Sequence, residues 1–222
     1  MSEWWTYTLS DFLMFSQRSY YRLIALYNEA VWPAHLLALA AGLAVIGCLA
    51  RQGMRMRRIA LAVLAVAWGW IGWAYHLERY ADINTAAPYF ALAFGLQALL
   101  LCYLALRPRT VEPAGMRKQV ALGLTGLAVI AYPLLAPGGG RGWSEAEVFG
   151  TAPDPTAVAT LGVLLACRAH PIAWSIPLMW CVVSGATLVE LRVGHAWLLP
   201  TFAILAVAAG RFDLSSTTNR QP

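Results

Sequence analysis

The chain has 222 residues, of which 59% are hydrophobic and only 12% are charged, and its mean hydropathy is +0.58. A soluble domain carries about twice that share of charged residues, so the composition excludes a soluble globular protein. The net charge of +5 comes from arginines in short loops between apolar stretches, which indicates anionic lipid rather than nucleic acid as the partner.

The first predicted element is an N-terminal segment, residues 1–28, that lies in the membrane interface. Between Ser10 and Tyr27, aromatic and aliphatic residues alternate with polar and charged ones in the pattern of an amphipathic helix. Thr8 or Ser10 can cap this helix. No cleavable signal is evident, because an acid and two tryptophans stand where a basic region should be, so we expect the segment to be retained.

Residues 29–211 contain seven apolar stretches of about 20 residues, the length that crosses a hydrocarbon core of roughly 30 Å. They predict an all-α fold, a polytopic bundle of about seven transmembrane helices, followed by a short tail at 212–222. The predicted spans are 31–50, 58–76, 88–106, 120–135, 149–167, 171–190 and 195–210.

The distribution of charge predicts the orientation of the chain. Eleven of the 16 lysines and arginines follow spans one, three, five and seven, whereas nine of the 11 acids lie on the opposite side. By the positive-inside rule, the N-terminus is outside and the C-terminus is cytoplasmic. The abundance of Ala, Leu and Arg, with Lys118 as the only lysine, suggests a bacterial inner membrane.

A weak internal repeat relates the helical hairpins. Pro88 and Gly95 in span three have the same spacing of seven as Pro155 and Gly162 in span five, and each proline follows a polar outer loop. Hairpin repeats of this kind occur in transporters, although hairpins in any helical bundle look somewhat alike.

Four ionisable side chains on four different spans share one depth near the predicted outer face. Counting from the nearest cytoplasmic arginine at 1.5 Å per residue places His35, His76, Asp154 and His195 about 21 to 27 Å up. Ionisable side chains at this depth in a membrane usually indicate a functional site. With Glu29 and Glu190 at the outer ends of their helices, we expect a ligand-binding site there; alternatively, the histidines are separately placed.

The fifth span is predicted to be broken. Only 13 residues separate Pro155 from Cys167 inclusive, about 20 Å of helix, so residues 150–154 must enter the membrane as non-helical backbone. Broken helices often form a substrate or ion site; the alternative is a helix that starts late and is capped by Asp154.

Three histidines and one carboxylate suit a divalent metal such as zinc, the one cofactor that the residues suggest. Local ligand spacing is absent, so the metal set His35, His76, Asp154 and His195 depends on the helices bringing these side chains together. Two further patterns indicate structural roles. Trp68, Trp70 and Trp73 are interpreted as an aromatic belt at the membrane interface. Gln97, Ser184 and Thr187 are interpreted as groups that join helices by hydrogen bonds.

Several strings in the sequence resemble a known but uncharacterised family of bacterial multispanning membrane proteins that is loosely labelled permease. They are residues 27–33, Tyr75-His76, residues 83–87 and residues 149–156. The resemblance covers nearly the whole chain and implies a membrane protein of permease type.

A fainter resemblance is to the seven-span zinc hydrolases of the alkaline ceramidase kind. His76, Asp82 and His195 match the family's histidine in span two, the acid after it and a histidine in span seven. Leu199 and Gly72 stand where that family has a second histidine and a serine, so part of its catalytic set is missing.

These observations predict a small permease or binding protein for a cation, metal or small polar solute, with a polar site near the outer face. The alternatives are a metal-dependent intramembrane hydrolase that uses the same residues, and a sensor that binds a ligand without transport. The sequence does not separate these three alternatives, and binding or transport is the leading interpretation.

Overall fold

The computed structural model describes residues 15–51, 53–107 and 115–218, and side chains as far as Arg211. The regular secondary structure in these ranges is helical and contains no β-strand, which confirms the all-α prediction for the described part of the chain. Apart from the single turn at Leu135–Gly138, eight α-helices follow one another in these ranges: α1 Gln17–Val31, α2 Ala34–Arg51, α3 Met54–Trp70, α4 Ala87–Leu106, α5 Gly115–Gly126, α6 Pro153–Ala166, α7 Ser175–Glu190 and α8 Leu198–Thr218.

Helix α1 is amphipathic, but its apolar face is covered by protein. Ser16 caps the helix by accepting a hydrogen bond from the Ser19 amide, whereas the predicted caps, Thr8 and Ser10, lie outside the described residues. Tyr27 donates to the Thr151 carbonyl at 3.0 Å, and Asn28 donates to two carbonyl groups of the 143–148 segment. These bonds fix α1 across one end of the bundle.

Five helical segments in the described ranges are long and apolar enough to cross a membrane. They are Ala34–Arg51, Met54–Asp82, Ala87–Leu106, Gly115–Gly138 and Pro171–Glu190. They coincide with predicted spans one, two, three, four and six. The other two predicted spans correspond to the 14-residue helix α6 and to the apolar part of α8, Leu198–Arg211, so crossing by these two helices stays a prediction.

Helix α6 lies in the middle of the bundle, where it packs against α3, α5, α7 and α8. All 14 of its residues are buried. The chain before it is not helical: Gly150 has φ +81° and Ala152 is extended, and Pro153 then occupies the first helical turn. An irregular segment therefore precedes the helix, as predicted, but Pro153 and Asp154, which were expected to be non-helical, lie in its first turn. Ala152, rather than Asp154, is the N-cap residue.

Two helices change their winding as they reach the same end of the bundle. Helix α3 continues as a π-helix over Ile71–Leu77, and α5 continues as a π-helix over Leu127–Ala131 and a 3₁₀ turn over Tyr132–Leu134. A π-helix has extra residues per turn, so it rotates the side chains that follow it and often marks a functional position. Here the two segments carry His76 and lead into Tyr132.

The bundle has an arginine-rich end and an acidic end. At the arginine-rich end, Lys118 donates to the Ala50 carbonyl and Arg117 donates to the Gly210 carbonyl. The opposite end, with Glu29, Glu147 and the start of α6, is called the acidic end below.

The aromatic-belt interpretation is wrong for Trp68. This side chain is 0% exposed, and its indole N–H donates to Thr160 Oγ1 on α6 at 2.8 Å. Trp73, by contrast, is 56% exposed. One tryptophan therefore joins helices in the core, while its neighbour on the same helix faces outward.

Candidate functional site at the acidic end

Asp154 is the centre of a polar cluster inside the bundle. Its side chain is 0% exposed and lies in the first turn of α6. Oδ1 accepts hydrogen bonds from Trp180 Nε1 at 2.8 Å and from Ser184 Oγ at 2.8 Å, and Oδ2 accepts from Tyr132 Oη at 3.2 Å. All three partners are neutral hydrogen-bond donors: a phenol, an indole and a hydroxyl group.

The local structure of three elements explains how the donors converge. Trp180 and Ser184 are four residues apart on α7 and therefore lie on one face of that helix. Tyr132 begins the 3₁₀ turn that follows the π-helix of α5. Pro153 starts α6 immediately before Asp154, which places the carboxylate at the positive end of the helix dipole.

Glu147 is a second buried carboxylate near Asp154. It lies in the segment before α6, is 5% exposed, and accepts a hydrogen bond from Tyr20 Oη at 3.4 Å. Burial, reinforced by the negative charge of Asp154, raises the pKa of Glu147 from 4.5 to about 8, while Arg141 opposes the shift. The Arg141 guanidinium lies 3.8 Å from the ring centre of Tyr21, at the edge of the cluster.

His76 is connected to Asp154 through Trp180. The His76 side chain is 0% exposed and its ring centre lies 5.1 Å from that of Trp180 and 4.5 Å from that of Phe94. Neither ring nitrogen has a hydrogen-bond partner among the described residues. The π-helical segment therefore holds a polar ring in an aromatic environment, and burying its nitrogens without hydrogen bonds costs free energy.

Glu29 and His35 lie together in a separate cavity of about 390 Å³. His35 Nε2 is 3.0 Å from Asn28 Oδ1, and Glu29 is exposed. Trp32 and Trp143, which are 63% and 65% exposed, line the same cavity. We call this space the outer pocket, after the orientation that the charge distribution predicts.

One segment of chain separates the outer pocket from the buried carboxylates. Ala146 and Val148 line the pocket, while Glu147 between them is buried and bonded to Tyr20. The backbone at 146–148 is therefore a thin wall with a pocket on one side and the carboxylate pair on the other.

The predicted metal site is not assembled by the described residues. His35 lies in the outer pocket, His76 lies against Trp180, and Glu190 is exposed at the end of α7. His195 lies in the turn before α8, where its Nε2 is buried without a hydrogen-bond partner among the described residues. In that part of the chain, no three His, Cys, Asp or Glu side chains are placed to hold one metal ion. Equal depth did not imply a common centre, because these side chains point from their helices in different directions.

Sequence reasoning missed most partners of Asp154. The sequence predicts Ser184 only as a helix-joining hydroxyl group, and it places Glu147, the neighbouring buried acid, only among the acids of the predicted outer side. Tyr132 and Trp180 give no local signal, since isolated aromatic residues are common near the ends of membrane helices. The two π-helical segments are the structural feature that identifies the region.

Chemically, the cluster combines two buried carboxylates with phenol, indole and hydroxyl donors. Such a set can hold a proton on Glu147, whose pKa is raised, or a cation that displaces this proton, while the neutral donors fix the orientation of the acidic groups. The outer pocket adds a third carboxylate beside two indole rings, a combination that attracts a cation through charge and through the ring faces.

Comparison with curated proteins and with solved structures gave no significant match. The profile of one family, described as a family of unknown function (DUF6064), matches residues 17–218. That range includes all eight helices and every residue of the cluster around Asp154, and the chain belongs to this family of unknown function.

Proposed function

We propose that the protein is a small membrane permease or binding protein that takes up a small cation at its acidic end. The observation that carries the proposal is the burial of two acidic side chains, Glu147 and Asp154, near enough for the charge of Asp154 to raise the pKa of Glu147. Neutral groups are their hydrogen-bond donors. Two carboxylates inside a membrane bundle are costly and are retained where they bind an ion or move a proton.

The outer pocket is the proposed entrance. Glu29 supplies negative charge at its mouth, and Trp32 and Trp143 present exposed indole rings on the same cavity. Indole faces and a carboxylate favour an ammonium ion, and a cavity of about 390 Å³ has room for one. We therefore place organic ammonium ions first among the candidate ligands, ahead of bare alkali cations.

The wall at 146–148 suggests how the two parts cooperate. Asn28 donates to the carbonyl groups of Ser144 and Ala146 at 2.7 and 2.8 Å, and it also contacts His35. A cation that binds beside His35 can thus act on the segment that carries Glu147. The pocket would then be the first binding position, and the buried carboxylates the second.

Binding of radiolabelled choline to the purified full-length chain tests the proposal, with sodium and potassium as competitors. We expect saturable choline binding that Glu29→Gln weakens roughly tenfold and that Glu147→Gln also weakens. Glu190→Gln is the matched control, because Glu190 is an exposed acid outside the pocket lining. Absence of saturable binding of all three cations, or equal loss in the control, would contradict the proposal.

Uptake into proteoliposomes separates the two forms of the proposal. A permease brings many choline molecules per chain into the vesicle lumen, whereas a binding protein saturates at about one ligand per chain. Glu29→Gln should reduce the amount of choline associated with the vesicles, whether the protein is a permease or a binding protein.

A further inference from the structure

A second cavity, of about 520 Å³, lies at the arginine-rich end of the bundle. Arg117 on α5, Arg168 after α6 and Arg211 on α8 line it together with His170. None of the described residues that line it is acidic. We propose that this cavity binds the phosphate group of an anionic phospholipid.

The positions of the three arginines are set by the fold. Arg117 is 8% exposed, and its Nη2 donates to the Gly210 carbonyl, which holds the guanidinium between α5 and α8. Arg211 follows Gly210 on α8 and is exposed, so its side chain stands at the rim. Guanidinium groups match phosphate oxygens in geometry and charge, which makes such a cluster a phosphate-binding element.

Arg168 occupies a backbone position that favours glycine. Its φ is +47°, and it ends α6 with hydrogen bonds from Arg168 N–H to the Leu165 carbonyl and from Ala169 N–H to the Leu164 carbonyl. Glycine or asparagine is the usual residue in this left-handed position. An arginine in this conformation is strained. Its side chain lines the cavity.

The remaining walls favour a lipid over a free phosphate ion. Trp174, Leu178 and Val207, all half-buried, line the same cavity. The lining of the cavity therefore combines cationic groups with apolar surface. The cationic groups suit a phosphate headgroup, and the apolar surface suits the acyl chains attached to it. The sequence predicts this end to be cytoplasmic, and basic pockets between membrane helices on that side bind anionic headgroups.

A neighbouring cavity extends the positive surface. It has a volume of about 300 Å³ and is lined by Arg57 and Arg107, and it shares Ala169 and His170 with the first cavity. The turn at 169–170 thus lies between two arginine-lined spaces, which strengthens the local attraction for phosphate.

Retention of lipid by the purified full-length chain tests this proposal. The chain in detergent is incubated with phosphatidylglycerol, with phosphatidylcholine or with inorganic phosphate, and bound ligand is measured by native mass spectrometry. We expect one phosphatidylglycerol to be retained while phosphatidylcholine and inorganic phosphate are not. The double variant Arg168→Asn, Arg211→Gln should weaken retention at least tenfold. Asparagine tolerates positive φ, so this change removes charge without adding strain at position 168.

Two control variants isolate the site. Arg192→Asn removes an arginine with the same left-handed backbone, φ +55°, after α7, and Arg58→Gln removes an exposed arginine near the start of α3 that does not line the cavity. Both should keep phosphatidylglycerol binding. Equal loss in either control, or equal retention of phosphatidylcholine, would overturn the proposal. Binding of inorganic phosphate that displaces the lipid would overturn the lipid assignment. The single variant Arg211→Gln, at an exposed position, gives the same test if the double variant does not fold.

Discussion

Ser184 on α7 donates its hydroxyl group to the Asp154 carboxylate on α6, with Oγ 2.8 Å from Oδ1 and 2.9 Å from Oδ2. The two residues are 30 positions apart, and both are buried. This contact joins the central helix to its neighbour at the point where the acidic cluster forms. The stability of the bundle and the geometry of the proposed cation site therefore depend on the same hydrogen bonds.

Ser184→Ala should lower the free energy of unfolding by about 1 to 2 kcal/mol, because a buried carboxylate loses one of its donors. Unfolding in detergent micelles measures the change. Thr187→Ala is the control on the same helix: Thr187 donates to the Val183 carbonyl one turn back, so we expect less than about 0.5 kcal/mol. An equal effect of the two substitutions would mean that the bond to Asp154 contributes nothing specific.

Glu147 should make the stability depend on pH. Because burial raises its pKa from 4.5 to about 8, the folded protein keeps a proton that the unfolded chain releases between these values. Its stabilising contribution is therefore full below pH 4.5 and is lost progressively as the pH rises to about 8.

The variant Glu147→Gln carries no ionisable group and should remove this part of the pH dependence. The free energy of unfolding, measured between pH 5 and pH 8.5, gives the pH dependence of each variant. Glu78→Gln is the control: Glu78 is exposed, so this variant should keep the pH dependence of the wild type. A wild-type slope that persists in Glu147→Gln would show that another group is responsible.

Gly162 and Gly95, which the sequence pairs as repeat positions, should respond differently to alanine. A Cβ at Gly162 would lie 2.8 Å from the Ala121 carbonyl oxygen on α5, whereas a Cβ at Gly95 would meet nothing within 4 Å. We expect Gly162→Ala to destabilise the bundle by about 1 to 3 kcal/mol, through forced separation of α5 and α6. Gly95→Ala should be neutral or slightly stabilising, since alanine favours helix. Similar losses in both variants would support equivalent roles for the two hairpins.

Topology can be tested with single cysteines and a membrane-impermeant thiol reagent. Ser144→Cys in the segment before α6 should react from outside the cell, and Arg55→Cys near the start of α3 should react only after permeabilisation. Both residues are exposed in the structure. The prediction follows from the excess of arginine on one side of the predicted spans. Reaction of both positions from one side would require a change in the number of spans.

The sequence by itself determined the helices and their order. Apolar stretches predicted at 31–50, 58–76, 88–106, 120–135 and 171–190 correspond to the five long apolar segments of the structure, and Pro155 with its short run to Cys167 correctly indicated a short fifth helix. These features are local, because a helix in an apolar environment satisfies its backbone hydrogen bonds within its own segment.

Only the tertiary structure decided which polar groups meet. His35, His76 and His195 share a predicted depth with Asp154, yet the partners of Asp154 are Tyr132, Trp180 and Ser184. Depth follows from counting residues, but the direction of a side chain depends on how each helix is rotated by its neighbours. Here the π-helical segments at Ile71–Leu77 and Leu127–Ala131 add to that rotation. No residue in either segment predicts the π-helical winding.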